Sequence, residues 1–139
     1  MFTALQPPGW PRPKGYANGV TARGRMVFVA GMIGWDEGEK FPAADLAGQA
    51  RQALANVRAV LAEAGARPEH IVRMTWYVTD RAEYLREARA IGAAYRELIG
   101  SFTVAMTAVE VKALMEAQAK VEIEQAKRAY ELNRAAELQ

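Results

Sequence analysis

The chain has 139 residues, 51% of them hydrophobic and 24% charged, with no cysteine and a net charge of +2. That length suits one domain able to bury roughly 70% of its unfolded surface without a metal or disulfide to hold it, and the composition is globular rather than disordered. The absence of cysteine excludes disulfides, thiolate metal sites and cysteine nucleophiles, and a single histidine, His70, argues against Ser–His catalysis and against a tight transition-metal site.

No basic run interleaved with aromatics tracks a phosphate backbone, so no nucleic-acid partner is expected. The N-terminal stretch MFTALQPPGWPRPKGY lacks the basic start and apolar core of a signal peptide. No apolar run approaches the ~20 residues of a membrane helix. A cytoplasmic location and no membrane partner are therefore expected.

In chain order, Pro7, Pro8, Pro11 and Pro13 predict an extended segment without regular structure over residues 1–15. Ala17–Thr21, the turn Ala22-Arg23-Gly24 and Arg25–Ala30 read as strand, turn and strand. Met26–Ala30 is nearly all apolar, which predicts cover on both faces. Gly31–Ala44, with three glycines, Pro42, Trp35 and the acidic pair Asp36 and Glu37, reads as a loop. Asp45 is a suitable N-cap, and Leu46, Ala50, Leu54, Val57, Val60, Leu61 and Ala64 recur at helical spacing up to a stop at Gly65. Ile71–Thr79 is rich in β-branched and aromatic residues and reads as a strand. Asp80 caps a second helix, with Tyr84, Leu85, Ala88, Ile91, Tyr95 and Leu98 as its apolar positions and Gly100 at its end. Strands near Thr103–Val111 and Ala119–Lys127 follow, separated by Lys112–Gln118. The tail, Arg128–Gln139, either frays or forms a short helix from Tyr130.

The order β-β-α-β-α-β-β predicts an α+β two-layer sandwich, a mixed β-sheet with two helices on one face. The domain spans residues 16–127, between the 1–15 segment and the 128–139 tail. Apolar residues remain for the other face, with Met26, Phe28, Val104 and Val121 as candidates, and they predict a partner, most simply further copies of the chain.

Taken alone, the residues that carry chemistry are ambiguous. Glu122 and Glu124 share a strand face about 6.6 Å apart, which is ordinarily a solvated surface. Met106 reads as core and Tyr16 as packing. Trp35 reads as a lid or an interface residue, and His70 as a surface loop residue. The run Gly31–Gly38 lacks the lysine and helix start of a phosphate loop.

The stretches ADLAGQARQALANVRAVLAEAG (44–65), HIVRMTWYVTD (70–80), TAVEV (107–111) and VEIE (121–124) resemble the RidA (YjgF) family of reactive-intermediate deaminases. The resemblance implies a chorismate-mutase-like fold. It implies a homotrimer with inward-facing sheets and small-molecule clefts between subunits. It also implies cofactor-free hydrolysis of imines and enamines to a keto acid and ammonia. By this resemblance Tyr16 lines the cleft, Gly31 follows the position of a serine (here Ala30), and Glu122 acts on the attacking water as the catalytic residue. Backbone near Gly31 and Ala108 holds the substrate. The arginine that clamps the substrate carboxylate falls at Met106, and an asparagine of the second helix falls at Gly92.

That departure has a physical consequence. A guanidinium grips a carboxylate through two parallel charge-assisted hydrogen bonds. Removing such a group from a desolvated site costs roughly 2–5 kcal/mol. Methionine offers neither charge nor donor, so a neutral or more apolar imine suits this cleft better than an α-imino acid, unless another arginine reaches in. Two other functions stay open: a non-catalytic trimer that binds a small molecule or a protein, motivated by the missing arginine and asparagine, and a ribonuclease, opposed by the modest charge and the lack of a histidine pair.

Overall fold

The computed structural model describes residues 2–100 and 103–129. Strand β1 (Phe2–Leu5) pairs antiparallel with β2 (Gly19–Ala22) as a separate two-stranded ribbon. The main sheet has the order β3-β6-β4-β5, built from β3 (Arg25–Ile33), β4 (Ile71–Val78), β5 (Ala105–Glu110) and β6 (Val121–Ala129). It is mixed: β6 runs antiparallel to both β3 and β4, while β5 runs parallel to β4. Helix α1 (Leu46–Glu63) and helix α3 (Ala88–Leu98) cover one face, with the short α2 (Arg81–Arg86) leading into α3. The α+β sandwich is thus as expected from the sequence.

The core follows from the two periodicities. In α1, Leu46, Ala50, Leu54, Val57 and Leu61 are fully buried. They meet Met74, Val78, Val121 and Ile123, alternate residues of β4 and β6 that point the same way, and Ile71, brought to that side by an irregularity between Ile71 and Arg73. Each buried aliphatic side chain contributes roughly 1.5–3 kcal/mol of transfer free energy. Both predicted helix caps form: Asp45 accepts from Gly48 N at 3.2 Å, and Asp80 accepts from Glu83 N at 3.1 Å.

Several expectations need correction. The 1–15 segment is not wholly without regular structure, because Phe2–Leu5, which precede the first proline, find strand partners in β2. The expected 17–30 hairpin does not form. Its second strand pairs with β6 instead and continues past Ala30 to Ile33 through a bulge between Val29 and Met32, so Gly31 lies in a strand rather than a loop. Nor is Met26–Ala30 covered on both faces: Val29 is buried, while Phe28 is 74% exposed. Val104 and Val121 do not belong to the open face, since both are fully buried. The predicted second helix is broken at Glu87, whose carboxylate accepts from Ala47 N at 3.3 Å and is thereby tied to the start of α1. Of the tail, Arg128 and Ala129 belong to β6. The alternative of a helix from Tyr130 lies outside the described residues.

Two close approaches position the rest. A Cβ on Gly34 would lie 2.7 Å from the Gln49 backbone, so α1 crosses the end of β3 where no side chain intervenes. The buried Gln49 amide donates to the carbonyls of Ala43 and Gln118, and its oxygen accepts from Lys120 N at 2.8 Å. One side chain thereby fixes the connection between β5 and β6.

Candidate functional site

Ala17 N donates to the Val104 carbonyl at 2.8 Å, and Ala17 bridges Ala105, which sets the preceding Tyr16 against the start of β5. In β5, Met106 and Ala108 are in register with Met74 and Trp76 of β4 and so share the helix side of the sheet. The helical wall presents Tyr84, Ala88, Ile91, Gly92 and Tyr95, a single stripe at i, i+4, i+7, i+8 and i+11. Tyr16, Met106, Ala108 and this stripe enclose a cavity of about 460 Å³, with Trp76 as part of its wall and Lys14 and Gly15 also lining it.

The electrostatics of this cavity are simple. Among the described residues Lys14 is the one charged residue that lines it, and no carboxylate does. Burial pushes the Tyr84 and Tyr95 phenols above their ordinary value, so both stay neutral across the physiological range. The Trp76 and Tyr84 rings lie 6.3 Å apart and inclined at 52°, a spacing favoured by aromatic pairs. The Trp76 indole N–H, buried, has no hydrogen-bond partner among the described residues.

The other two candidates meet elsewhere. Glu122 is in register with Tyr77 of β4, the neighbour of Trp76, and therefore lies on the opposite, open face of the sheet. A Cβ on Gly31 would lie 2.7 Å from Cδ of Glu122, so the Glu122 side chain crosses β3 at the one position where no side chain obstructs it. Beside it, the Tyr77 hydroxyl donates to Glu124 at 2.7 Å, and this bond raises the phenol above its ordinary value. Arg73 donates to the Thr107 hydroxyl at 3.0 Å and to the Ala105 carbonyl at 3.4 Å. Trp35 belongs to neither group. It is half-buried against Phe41, 6.1 Å between ring centroids, and its carbonyl accepts from Asn56. Among the described residues no group of three His, Cys, Asp or Glu could hold a metal ion.

Comparison with known proteins settles the lineage. Residues 11–127 match the family model described as Endoribonuclease L-PSP, which covers most of the chain. A 2-iminobutanoate/2-iminopropanoate deaminase of Salmonella typhimurium is 35% identical over 109 residues, 78% of this chain and 83% of that protein. The chain belongs to the RidA (YjgF) family. A RutC family protein of Pyrococcus abyssi is 31% identical over 105 residues, 75% of this chain and 80% of that protein. A crystal structure of a Rid family protein from Yersinia pestis, itself of unknown function, superposes with a TM-score of 0.80 at 28% identity, covering 91% of this chain and 98% of that one.

In this RidA-family chain the residues singled out from sequence fall into two sets. Tyr16, Met106, Ala108 and Gly92 converge on one cavity, and Gly31 meets Glu122 on the opposite face. Sequence reasoning missed Trp76 and Lys14 as lining residues. Trp76 was detectable as the inward parity of Ile71–Val78, whereas Lys14 gave no signal, because nothing in its segment's pattern tells which strand it lies against.

Proposed function

We propose that this protein hydrolyses small imines or enamines in clefts between the subunits of a homotrimer, and that it prefers substrates unlike the α-imino acids an arginine would clamp. The observation that supports this most is the convergence of Tyr16, Gly92, Met106 and Ala108, the positions matched by the family resemblance, on one concave site of about 460 Å³. That size falls within the range of small-molecule pockets. A single chain keeps Glu122 on the far face of its sheet, so a second copy must bring its own Glu122–Gly31 pair to the cavity. Phe28, 74% exposed on that same open face, supplies apolar area for such an assembly.

The reaction needs few parts. Water adds to the carbon of a protonated imine as Glu122 takes one of its protons, giving a neutral carbinolamine. The carboxyl hands that proton to the nitrogen, then takes the hydroxyl proton as the carbinolamine collapses to a carbonyl compound and ammonia, and releases it to solvent. Backbone groups near Gly31 and Ala108 hold the substrate. No cofactor enters this balance. With Met106 where a guanidinium would stand, the substrate end at β5 is neutral or apolar.

The test generates imines in situ with amino-acid and amine oxidases and follows their hydrolysis. Acceleration for imines without an α-carboxylate, abolished in Glu122→Ala, is the expected result. No acceleration across a panel containing both carboxylate-bearing and neutral imines would overturn the proposal. Sedimentation is expected to give a particle three times the 15.3 kDa of one chain. The second reading, a ligand-binding protein without catalysis, is favoured by Met106 and would win if Glu122→Ala changed neither activity nor ligand affinity.

A further inference from the structure

The β5–α3 cavity has an unusual charge layout for a site of this lineage. Its β5 side carries Met106 and Ala108, with neither charge nor side-chain donor. Its walls are aromatic and aliphatic, and the one ionic group that the described residues of a single chain give it, Lys14, comes from the N-terminal segment. Lys14 is exposed and makes no hydrogen bond or ion pair with any described residue, so its ammonium is not spent on the fold. The backbone that carries it is fixed nonetheless, because Ala17 is hydrogen-bonded to β5 three residues later.

We propose that Lys14 is the anion-binding residue of this cavity, and that the ligand is an aromatic monocarboxylate seated with its ring among Trp76, Tyr84 and Tyr95 and its acid at the rim. This deepens the reading of the cavity as the substrate site and rests on it. The carboxylate recognition lost at Met106 is moved to the opposite end of the cavity, and the ligand is held the other way round.

Three features select this class. The ring-lined wall favours an aromatic group by edge-to-face contacts, worth roughly twofold to tenfold in affinity beyond burial alone. A dry apolar cavity of about 150 Å³ accommodates benzene, so 460 Å³ leaves room for a ring with a short acidic chain. A single ammonium matches a single negative charge and is poorly suited to a phosphate dianion.

The experiment is a binding measurement without turnover. Phenylacetate, its uncharged isostere phenylacetamide, and acetate are titrated into the full-length protein and into Lys14→Gln by calorimetry, with amide chemical shifts to locate the contact. The wild type is expected to prefer phenylacetate over phenylacetamide by about twofold to fivefold at low salt, the range of a solvent-exposed ion pair. The preference is expected to shrink in 0.5 M salt and to vanish in Lys14→Gln, with shifts at residues 14–16 and along β5. Acetate is expected to bind far more weakly than phenylacetate. Equal binding of acid and amide, an unchanged preference in Lys14→Gln, acetate matching phenylacetate, or no binding of either aromatic probe would each overturn the assignment. Because no imine is present, failure here leaves the hydrolase reading standing, and failure of hydrolysis leaves this binding result standing.

Discussion

The two faces of the sheet differ in how complete they are. On the helix side, Tyr16, Met106, Ala108 and the α2–α3 stripe close around a cavity with their own chain. On the open side, Glu122 and Gly31 fit each other to within the volume of a methyl group, yet with the described residues Gly31 stays exposed and Phe28 nearby is 74% exposed. Among the described residues one face holds a cavity without a carboxylate in its lining, and Glu122 lies on the other face, away from it. The proposed assembly of copies would unite the two halves, and each can be attacked separately.

The largest expected effects come from the open face. Glu122→Gln keeps the shape and removes the base, so kcat/KM for imine hydrolysis is expected to fall about 100-fold or more, with little change in Tm because Glu122 is only half-buried and lies on the open face. Gly31→Ala probes the same atoms from the other side. Its methyl would lie 2.7 Å from Glu122 Cδ and must displace the carboxyl. A loss approaching that of Glu122→Gln, with both variants still folded by thermal melt, is expected. Full activity in either would break the comparison, because the open face would then hold no catalytic half.

On the cavity side, Met106→Arg restores a bidentate cation beside Ala108. Its expected effect is a gain of about tenfold or more in kcat/KM for carboxylate-bearing imines, somewhat below the 2–5 kcal/mol seen when such groups are removed from evolved sites. No gain would mean that the ligand does not approach β5 at position 106.

Much of this was legible in the sequence, for identifiable reasons. The helices announced themselves through Asp45, Asp80 and the 3.6-residue stripes, since both signals are local. The pairing of β3 with β6 was not legible: the turn at Ala22–Gly24 suggests a hairpin, but β6, about a hundred residues away in sequence, offers Met26–Val29 a longer partner, and β2 is taken by β1. The candidate residues were legible one by one, through the family pattern. Their division between two faces was not, because parity along β5 and β6 becomes meaningful only once Met74, Trp76 and Ile123 are known to point at the helices. The break at Glu87 was invisible for a similar reason, as its cause is a hydrogen bond to Ala47.

That bond leads to a smaller, pH-dependent prediction that again separates the faces. Glu83 accepts from Lys120 at 2.9 Å and from Leu46 N at 3.2 Å, and Lys120 chiefly holds its carboxyl below the ordinary carboxylate range. A depressed carboxyl stabilises the fold above its unfolded value of about 4.3, and that stability is lost as the pH falls through the depressed folded value. Burial holds Glu87 above the usual range, so its contribution has the opposite sign: present in acid, lost as the pH rises through the raised value. Glu83→Gln is therefore expected to cost about 1–2 kcal/mol at pH 7, with the gap to wild type closing below about pH 4. Glu87→Gln is expected to leave the protein as stable or slightly more so at pH 7. Hydrogen exchange in acid is expected to rise in residues 81–98, the cavity's helical wall, before it rises in β3 and β6.

The smallest effect concerns Gly92. It sits within α3, lines the cavity, and stands where the family resemblance places an asparagine. Unlike Gly31, it is not required by its surroundings. A Cβ there would meet only the Arg96 guanidinium at 3.5 Å, an ordinary contact with a flexible group. Glycine inside a helix costs roughly 0.5–1 kcal/mol relative to alanine through backbone entropy, so Gly92→Ala is expected to stabilise by up to about that amount in chemical denaturation. The fold gains nothing from the glycine, which leaves room in the cavity as its remaining contribution. If so, Gly92→Ala keeps its stability gain but weakens binding of a bulky ligand and leaves a small one unaffected. Equal effects on both would show that the space at position 92 is not what the cavity uses.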